Sequence, residues 1–516
     1  MENNNQNRPV QPGQPTQPYY QPGQPYYYPA PPVLREPPFP TGKRELIFGM
    51  FAVLCSLLLC NFTLFGGLNL GFAITAVVCI VCSVVYLRAG GCDANGYSAA
   101  LLALSVFICF GFARSDDGFV KLIMVCFLLL AVNLSLCLMA GQNLRSANGV
   151  SSLLDSFRAA IMLGVGEMYP AFRGMGKWLR EGGPAVKRAG AVLIGLAVAV
   201  PLVCILIPLL MSADAAFSGL LALLPRFRLF ELVLTVSFGG GLACVLYTRG
   251  TALKHKPKPV TKAATDRKRV SHLTVNTALG AVCLVYGVYL LSQLAYLVGG
   301  FSGILPEGFT ASQYARRGFF EMAWLCAIDL ATIVLAVGLV SKQEGKAPLA
   351  TRLLCLFIGL VTVFLVISAS AKMGMYISAY GLTRLRVLTE VIMVFLGIVT
   401  ALICVWLFVP KMPYMKIILL VALYMGAITL WVDVDTVVSA YNVGAYQSGA
   451  LEKVDVYYLG TLGDGAVPYI DEFTRDDDFM VARSAKRILA QRSSKIKDLR
   501  SWNYASWLAG QYAREE

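Results

Sequence analysis

Few residues in this chain of 516 could do chemistry, and they sit where chemistry is least expected. Asp329 lies near the middle of an apolar run, where an ionised carboxylate costs roughly 2.5–3.5 kcal/mol on membrane-insertion scales. Such a group must face a protein interior, carry a proton or meet a cation. Just upstream stand Arg316, Arg317 and Glu321, and Arg317 and Glu321 are four apart on one helix face. A second group is Arg384, Arg386 and Glu390, one turn beyond Arg386. Asp214, Glu231, Asn276, Gln293, Lys372, Asp433 and Asp435 fall close to the ends of apolar runs. If those ends converge, the charges form one polar cavity facing the far side. A substrate or ion path through Asp329, Glu321, Arg317 and Arg386 is then one reading, with Arg316, Arg384, Glu390 and Asp214 around its mouth. Structural ion pairs that fix helix register are the other. Neither reading assigns a catalytic residue, a metal or a cofactor.

Other signatures fail on spacing. The two histidines, His255 and His272, both fall in a basic loop, which argues against a histidine metal site or proton relay. Gly174-Met175-Gly176-Lys177 lacks the spacing and the following Ser or Thr of a phosphate loop. Asp476-Asp477-Asp478 has no alternating ligands and reads as helix capping. Cys79 and Cys82 form a CxxC inside an apolar run and read as small apolar residues.

The elements that must position these residues are membrane helices. Apolar residues make up 57% of the chain and charged ones 14%, with a mean hydropathy of +0.64. A bilayer offers the backbone no hydrogen-bond partner, so a spanning segment is a helix of roughly 20 mostly apolar residues. About eleven runs qualify: 46–64, 68–87, 97–113, 119–140, 189–211, 229–247, 273–298, 318–340, 353–371, 387–409 and 415–432. The third and the last are shortest. The net charge of +14 reads as a positive-inside signal rather than as an affinity for nucleic acid. Basic residues concentrate in 142–188, 248–272 and the loops near Lys346 and Lys411, and Lys43 and Arg44 place the N-terminus on that cytoplasmic side. With eleven spans the C-terminal tail emerges opposite; with ten it returns.

The expected fold is therefore an all-α polytopic bundle. Residues 1–42 are a disordered Pro/Gln/Tyr-rich cytoplasmic tail, read first as a solvated or weakly self-associating segment; its Pro12–Pro15 and Pro22–Pro25 also fit the PxxP pattern of a protein partner's aromatic groove. Residues 43–141 hold four spans, and 142–188 form a cytoplasmic amphipathic segment, read as helices on the membrane surface with a compact cytosolic helix pair as the alternative. Residues 189–432 hold seven more, with the basic loop 248–272, and 433–516 are a small helical domain. Pro201 and Pro208 should kink the fifth span. In the last domain Asp464 and Asp478 look like N-caps, and Val481, Ile488, Leu489, Ile496, Leu499 and Trp502 suit the stripe of one late helix. The implied partners are the bilayer itself and anionic lipids at the basic loops.

Four stretches also form a pattern. Ser212–Phe217, Tyr314–Glu321, Tyr380-Gly381-Leu382-Thr383-Arg384-Leu385-Arg386, and the late Tyr441-Asn442 with Leu459-Gly460-Thr461-Leu462 occur in that order. Together they resemble an uncharacterised bacterial membrane family, domain of unknown function 4173, with 4153 as a relative. The resemblance spans roughly residues 46–470. It implies a multi-pass protein of the bacterial plasma membrane and supplies no activity, substrate or catalytic residue. A transporter-like protein or a membrane scaffold is the leading expectation. A signalling or assembly scaffold acting through its tails comes next, then a lipid-head-group enzyme, for which Glu321 and Glu390 are the candidate acid and base.

Overall fold

The computed structural model describes residues 39–142, 157–158, 160–213, 229–256, 270–301, 319–341, 346–492 and 498–512. Its elements, in order, are α1 (Lys43–Gly66), α2 (Leu70–Ala89), α3 (Gly96–Gly111), α4 (Gly118–Met139), α5 (Met168–Glu181) and α6 (Pro184–Ala213). Then come α7 (Leu229–His255), α8 (His272–Phe301), α9 (Phe319–Leu339), α10 (Leu349–Tyr380), α11 (Arg384–Phe408) and α12 (Tyr414–Val432). The last five, α13 (Val434–Gln447), α14 (Val456–Thr461), α15 (Val467–Glu472), α16 (Phe479–Ala490) and α17 (Tyr504–Tyr512), are shorter and less apolar. A π-helical turn, Met162–Gly166, precedes α5.

Among the described residues nine helices are long and apolar enough to cross a membrane, and α3 is a shorter apolar one. The chain is a multi-pass membrane protein. The 30-residue α6 carries the fifth apolar run and stays helical through Pro201 and Pro208. Polar side chains define where helices start: Asn95 accepts from Ser98 N, and Asp117 accepts from Phe119 N and Val120 N at the head of α4.

Two of the four buried apolar clusters tie most of the bundle together. Leu101, Ile108, Phe112, Met124, Leu134, Leu423 and Leu430 pack α2, α3, α4 and α12 together, and that core continues into α13–α16 through Val438, Leu459, Ile470 and Phe473. Val275, Ile333, Ile358 and Ile403 pack α8 to α11. Between membrane helices the gain comes from close packing of such side chains rather than from escape from water, because lipid tails are as apolar as leucine.

The bundle has two distinct ends. At one, Arg44 Nη1 donates to Ala89 O, and Glu45 accepts from Lys254 Nζ at 2.6 Å and meets His255 Nε2 at 3.1 Å. At the other, Leu70 N donates to Trp502 O, Tyr504 N to Ala113 O and Arg500 Nη1 to Asn61 Oδ1. The small helical domain therefore caps the end opposite Lys43.

That domain differs from the sequence reading in two places. The late helix α16 ends at Ala490, because the Arg492 guanidinium turns back onto the carbonyls of Gly460, Leu462 and Gly463. Leu499 and Trp502 fall beyond it, so they do not continue its stripe. Asp478 caps α16 through Met480 N as expected, whereas the Asp464 carboxylate faces Ser506 and Arg492 instead of capping.

Candidate functional site at the domain junction

The polar residues that the fold brings together lie where the C-terminal domain meets the bundle. Arg384 is the centre. Thr383 accepts from Arg386 N and starts α11, which sets the Arg384 side chain toward the domain. Its Nε and Nη2 donate to the two carboxylate oxygens of Asp435, at 2.8 and 2.6 Å, and Nε lies 3.3 Å from Asp117 Oδ2. Both carboxylates are 1% exposed. A forked guanidinium suits this job because two parallel bonds fix orientation as well as charge. The Asp435 carboxylate also accepts from Gly463 N at 2.7 Å.

The neighbouring turn is held by the same domain. Gly381 has φ +73°, a conformation glycine adopts without penalty, and a Cβ there would sit 2.6 Å from Asn442 Oδ1. Asn442 in turn clasps the Leu382 backbone from both sides, accepting from its N–H at 2.6 Å and donating to its carbonyl at 2.8 Å. Tyr458 Oη accepts from Arg384 N at 2.9 Å. Burial pushes the Tyr458 phenol above its ordinary value.

Asp433 forms the second layer. It turns the chain from α12 into α13 with φ +60°, a region that costs an ordinary side chain energy but suits aspartate and asparagine. It is fully buried, accepts from Ser115 Oγ at 2.7 Å and Thr436 Oγ1 at 2.6 Å, and a Cβ at Gly465 would lie 2.1 Å from its Oδ2. Burial holds its acid pKa above the usual carboxylate value, partly offset by Thr436 and Ser115. An acid raised on folding destabilises the ionised folded state. The penalty is absent below the unfolded value near ~3.9, grows as pH rises toward the folded value and persists at neutral pH. Asp433→Asn should therefore gain in melting midpoint over the natural chain as pH rises from acid to neutral. A constant difference across that range would refute the assignment. Asp498 has the opposite sign: Arg500 holds it below the usual value, so its contribution is present above the unfolded value and lost on acidification.

Among the residues singled out by sequence, these contacts gather Arg384, Asp433 and Asp435 but not the expected path. Asp214, Arg316 and Arg317 lie outside the described residues, as do the Pro-rich tail and most of the basic loop after Lys256. Arg386 stacks over the Tyr376 ring at 4.2 Å, and its Nη1 donates to the carbonyls of Tyr380 and Gly381. It spends its donors closing the turn, away from Asp329. Glu321 is exposed in the first turn of α9, and no hydrogen bond or ion pair joins it to Glu390 among the described residues. Glu390 lies against Ser370.

Asp329 is 2% exposed and packed within the α8–α10 core. Tyr286 Oη donates to its Oδ1 at 2.5 Å, and Thr362 Oγ1 lies 2.9 Å from its Oδ2 and 2.9 Å from Ile358 O. Both oxygens are thus occupied by neutral partners. Beside the junction lies an open groove of about 460 Å³, largely apolar, with Phe119, Leu385, Leu388 and Leu462 on its walls. Arg384 is the one charged side chain lining it.

Of the stretches that carried the resemblance, residues 380–386, 441–442 and 459–462 meet at this junction, and 212–217 and 314–321 lie largely outside the described residues. The family described as a domain of unknown function, DUF4153, matches residues 53–473. The chain belongs to this family. Of the two related families that the motifs resemble, the match falls on the second. The DUF4153 region covers the bundle and the domain as far as Phe473, so Arg384, Asp435, Asn442 and Tyr458 lie inside it and Arg492 and Arg500 beyond it. No curated protein and no solved structure matches the chain.

Asp117, Asn442, Tyr458 and Arg492 carry the junction and were not among the candidate residues. Asp117 had a readable signal, an aspartate directly before Gly118 at the start of an apolar run. Arg492 had none, since an arginine in a polar tail reads as solvated.

Proposed function

We propose that this DUF4153 protein is a membrane scaffold of the bacterial plasma membrane, whose bundle holds the 433–512 domain rigidly on the extracytoplasmic face. The observation that carries this reading is the Asp117–Arg384–Asp435 clasp, with Asn442 on Leu382. Buried charges of this kind are expensive, and their best-attested use is to fix one arrangement of parts. Support also comes from Asp329, whose oxygens are taken by Tyr286 and Thr362 in a packed core, unlike a site alternately open to water. The sidedness rests on the basic loops at the Lys43 end.

Thiol accessibility in a cysteine-free background tests the reading. With an impermeant reagent on intact cells, Ser484→Cys is expected to label and Asp329→Cys to stay protected. Labelling at 329 would replace the scaffold with a transporter-like path. Protection at 484 until the cells are permeabilised would put the domain on the cytoplasmic face.

A further inference from the structure

The segment from Phe157 to Glu181 carries a surface feature that neither the bundle nor the junction uses. Its inner side is packed: Leu163 and Ala171 are 1% exposed, a Cβ on Gly164 would touch Val245 of α7, and Phe39 N donates to Pro170 O. Its outer side is a row at spacing four. Phe157, Ile161, Val165 and Tyr169 are exposed by 67, 42, 54 and 60%, with Met162 beside them at 61%. The same spacing continues into Arg173 and Lys177, both exposed, and Arg180 follows three residues on. The row is apolar in its first half, aromatic at Tyr169 and cationic thereafter.

Its depth can be read from α7. Lys254 pairs with Glu45 at the charged end of the bundle, and Val245 lies nine residues further in, about 13 Å along a helix. Tyr247, two residues from Val245, lies against Gly49 of α1, already within the first apolar run. Gly164 and its neighbours Met162 and Val165 are therefore level with the hydrocarbon boundary, while Arg158 on one side donates to Gln142 O and Glu167 on the other pairs with Lys256 at the charged end. The cationic half lies at that end too, since a Cβ on Gly174 would meet Phe39 O and Thr41, just before Lys43. Lys43, Arg44, Arg88, Lys187 and Arg188 are exposed at the same end, against few exposed acids. Glu181 pairs with Lys177 at 3.8 Å, but both are more than 60% exposed, so this contact is worth little.

We infer that residues 160–181 form an interfacial lipid-binding element, with Ile161, Met162 and Val165 in the acyl layer and Arg173, Lys177 and Arg180 holding phosphates of anionic phospholipid. Apolar burial of 5–10 Å together with cations at the headgroups is the arrangement of surface-lying amphipathic helices. The inference is independent of the scaffold reading, since it concerns the opposite end of the bundle.

The test uses the full-length protein in mild detergent, titrated with phosphatidylglycerol or phosphatidylcholine and read by native mass spectrometry. The natural chain is expected to prefer phosphatidylglycerol. R173E/K177E/R180E is expected to weaken that binding at least about tenfold, since each cation near an anionic surface adds appreciably to attraction. The neutral triple R173Q/K177Q/R180Q, which keeps good helix formers, should lose an intermediate amount. R483E/K486E/R487E changes three exposed cations on α16 and should bind as the natural chain does. Equal losses in the α5 and α16 triples would mean unspecific attraction and overturn the proposal. So would natural-chain affinity in the neutral triple, or equal binding of both lipids. A dimeric mass with lipid binding unaltered in all variants would assign the row to a second copy instead.

Discussion

Arg384→Ala is expected to destabilise the junction by about 3 kcal/mol. Removing one partner of a buried ion pair costs about 3–5 kcal/mol because the remaining charge stays desolvated. Here two carboxylates, Asp117 and Asp435, would be left nearly sealed from water. The guanidinium itself is 34% exposed, which places the effect at the low end of that range. Arg384→Lys keeps the charge but not the fork, and should recover only part of the loss. The measurement is limited proteolysis with a melting curve in detergent. Cleavage should rise in the domain while the bundle fragment stays intact. Unchanged cleavage in Arg384→Ala would show that the clasp is incidental to docking.

Asp329 separates two accounts of the bundle by the direction of its response. Asp329→Ala removes the partner of Tyr286 and leaves the Thr362 hydroxyl and a small void in a packed core, a loss of about 2–3 kcal/mol. Asp329→Asn should stay within about 1 kcal/mol of the natural chain. The reason is a count of donors. Thr362 has one hydroxyl hydrogen and two acceptors near it, Ile358 O and Asp329 Oδ2. An amide at 329 donates to Thr362 Oγ1, which frees that hydrogen for Ile358, while its carbonyl still accepts from Tyr286. Melting in detergent measures the stabilities. In cells, the scaffold reading expects Asp329→Asn to complement a deletion strain and Arg384→Ala to fail. The reverse pattern would point to a transport carboxylate.

Much of the architecture was legible in the chain. Eleven apolar runs and the alternation of basic loops predict an up-and-down bundle, and the polar tail predicts a separate helical domain. These follow from local composition, because a helix in lipid satisfies its own backbone and needs only length and apolarity. The site was legible in kind but not in membership. Asp433 and Asp435 stood out as charges at the end of a run, and residues 380–386 stood out as a cluster. The sequence does not say that Ser115 reaches Asp433 across 318 positions, or that Arg384 chooses Asp435 rather than Glu390, one and a half turns along its own helix.

What the sequence by itself determined is which segments cross the membrane and which charges sit at their ends, since both depend on each segment's own affinity for lipid or water. What only the tertiary structure decided is which of those charges are paired. Asp329 faces Tyr286 and Thr362 rather than an arginine, and Arg384 closes on Asp435 of the domain. Pairing depends on the rotation and register of helices distant in sequence. Close packing between helix faces sets those, and no local pattern of residues carries them.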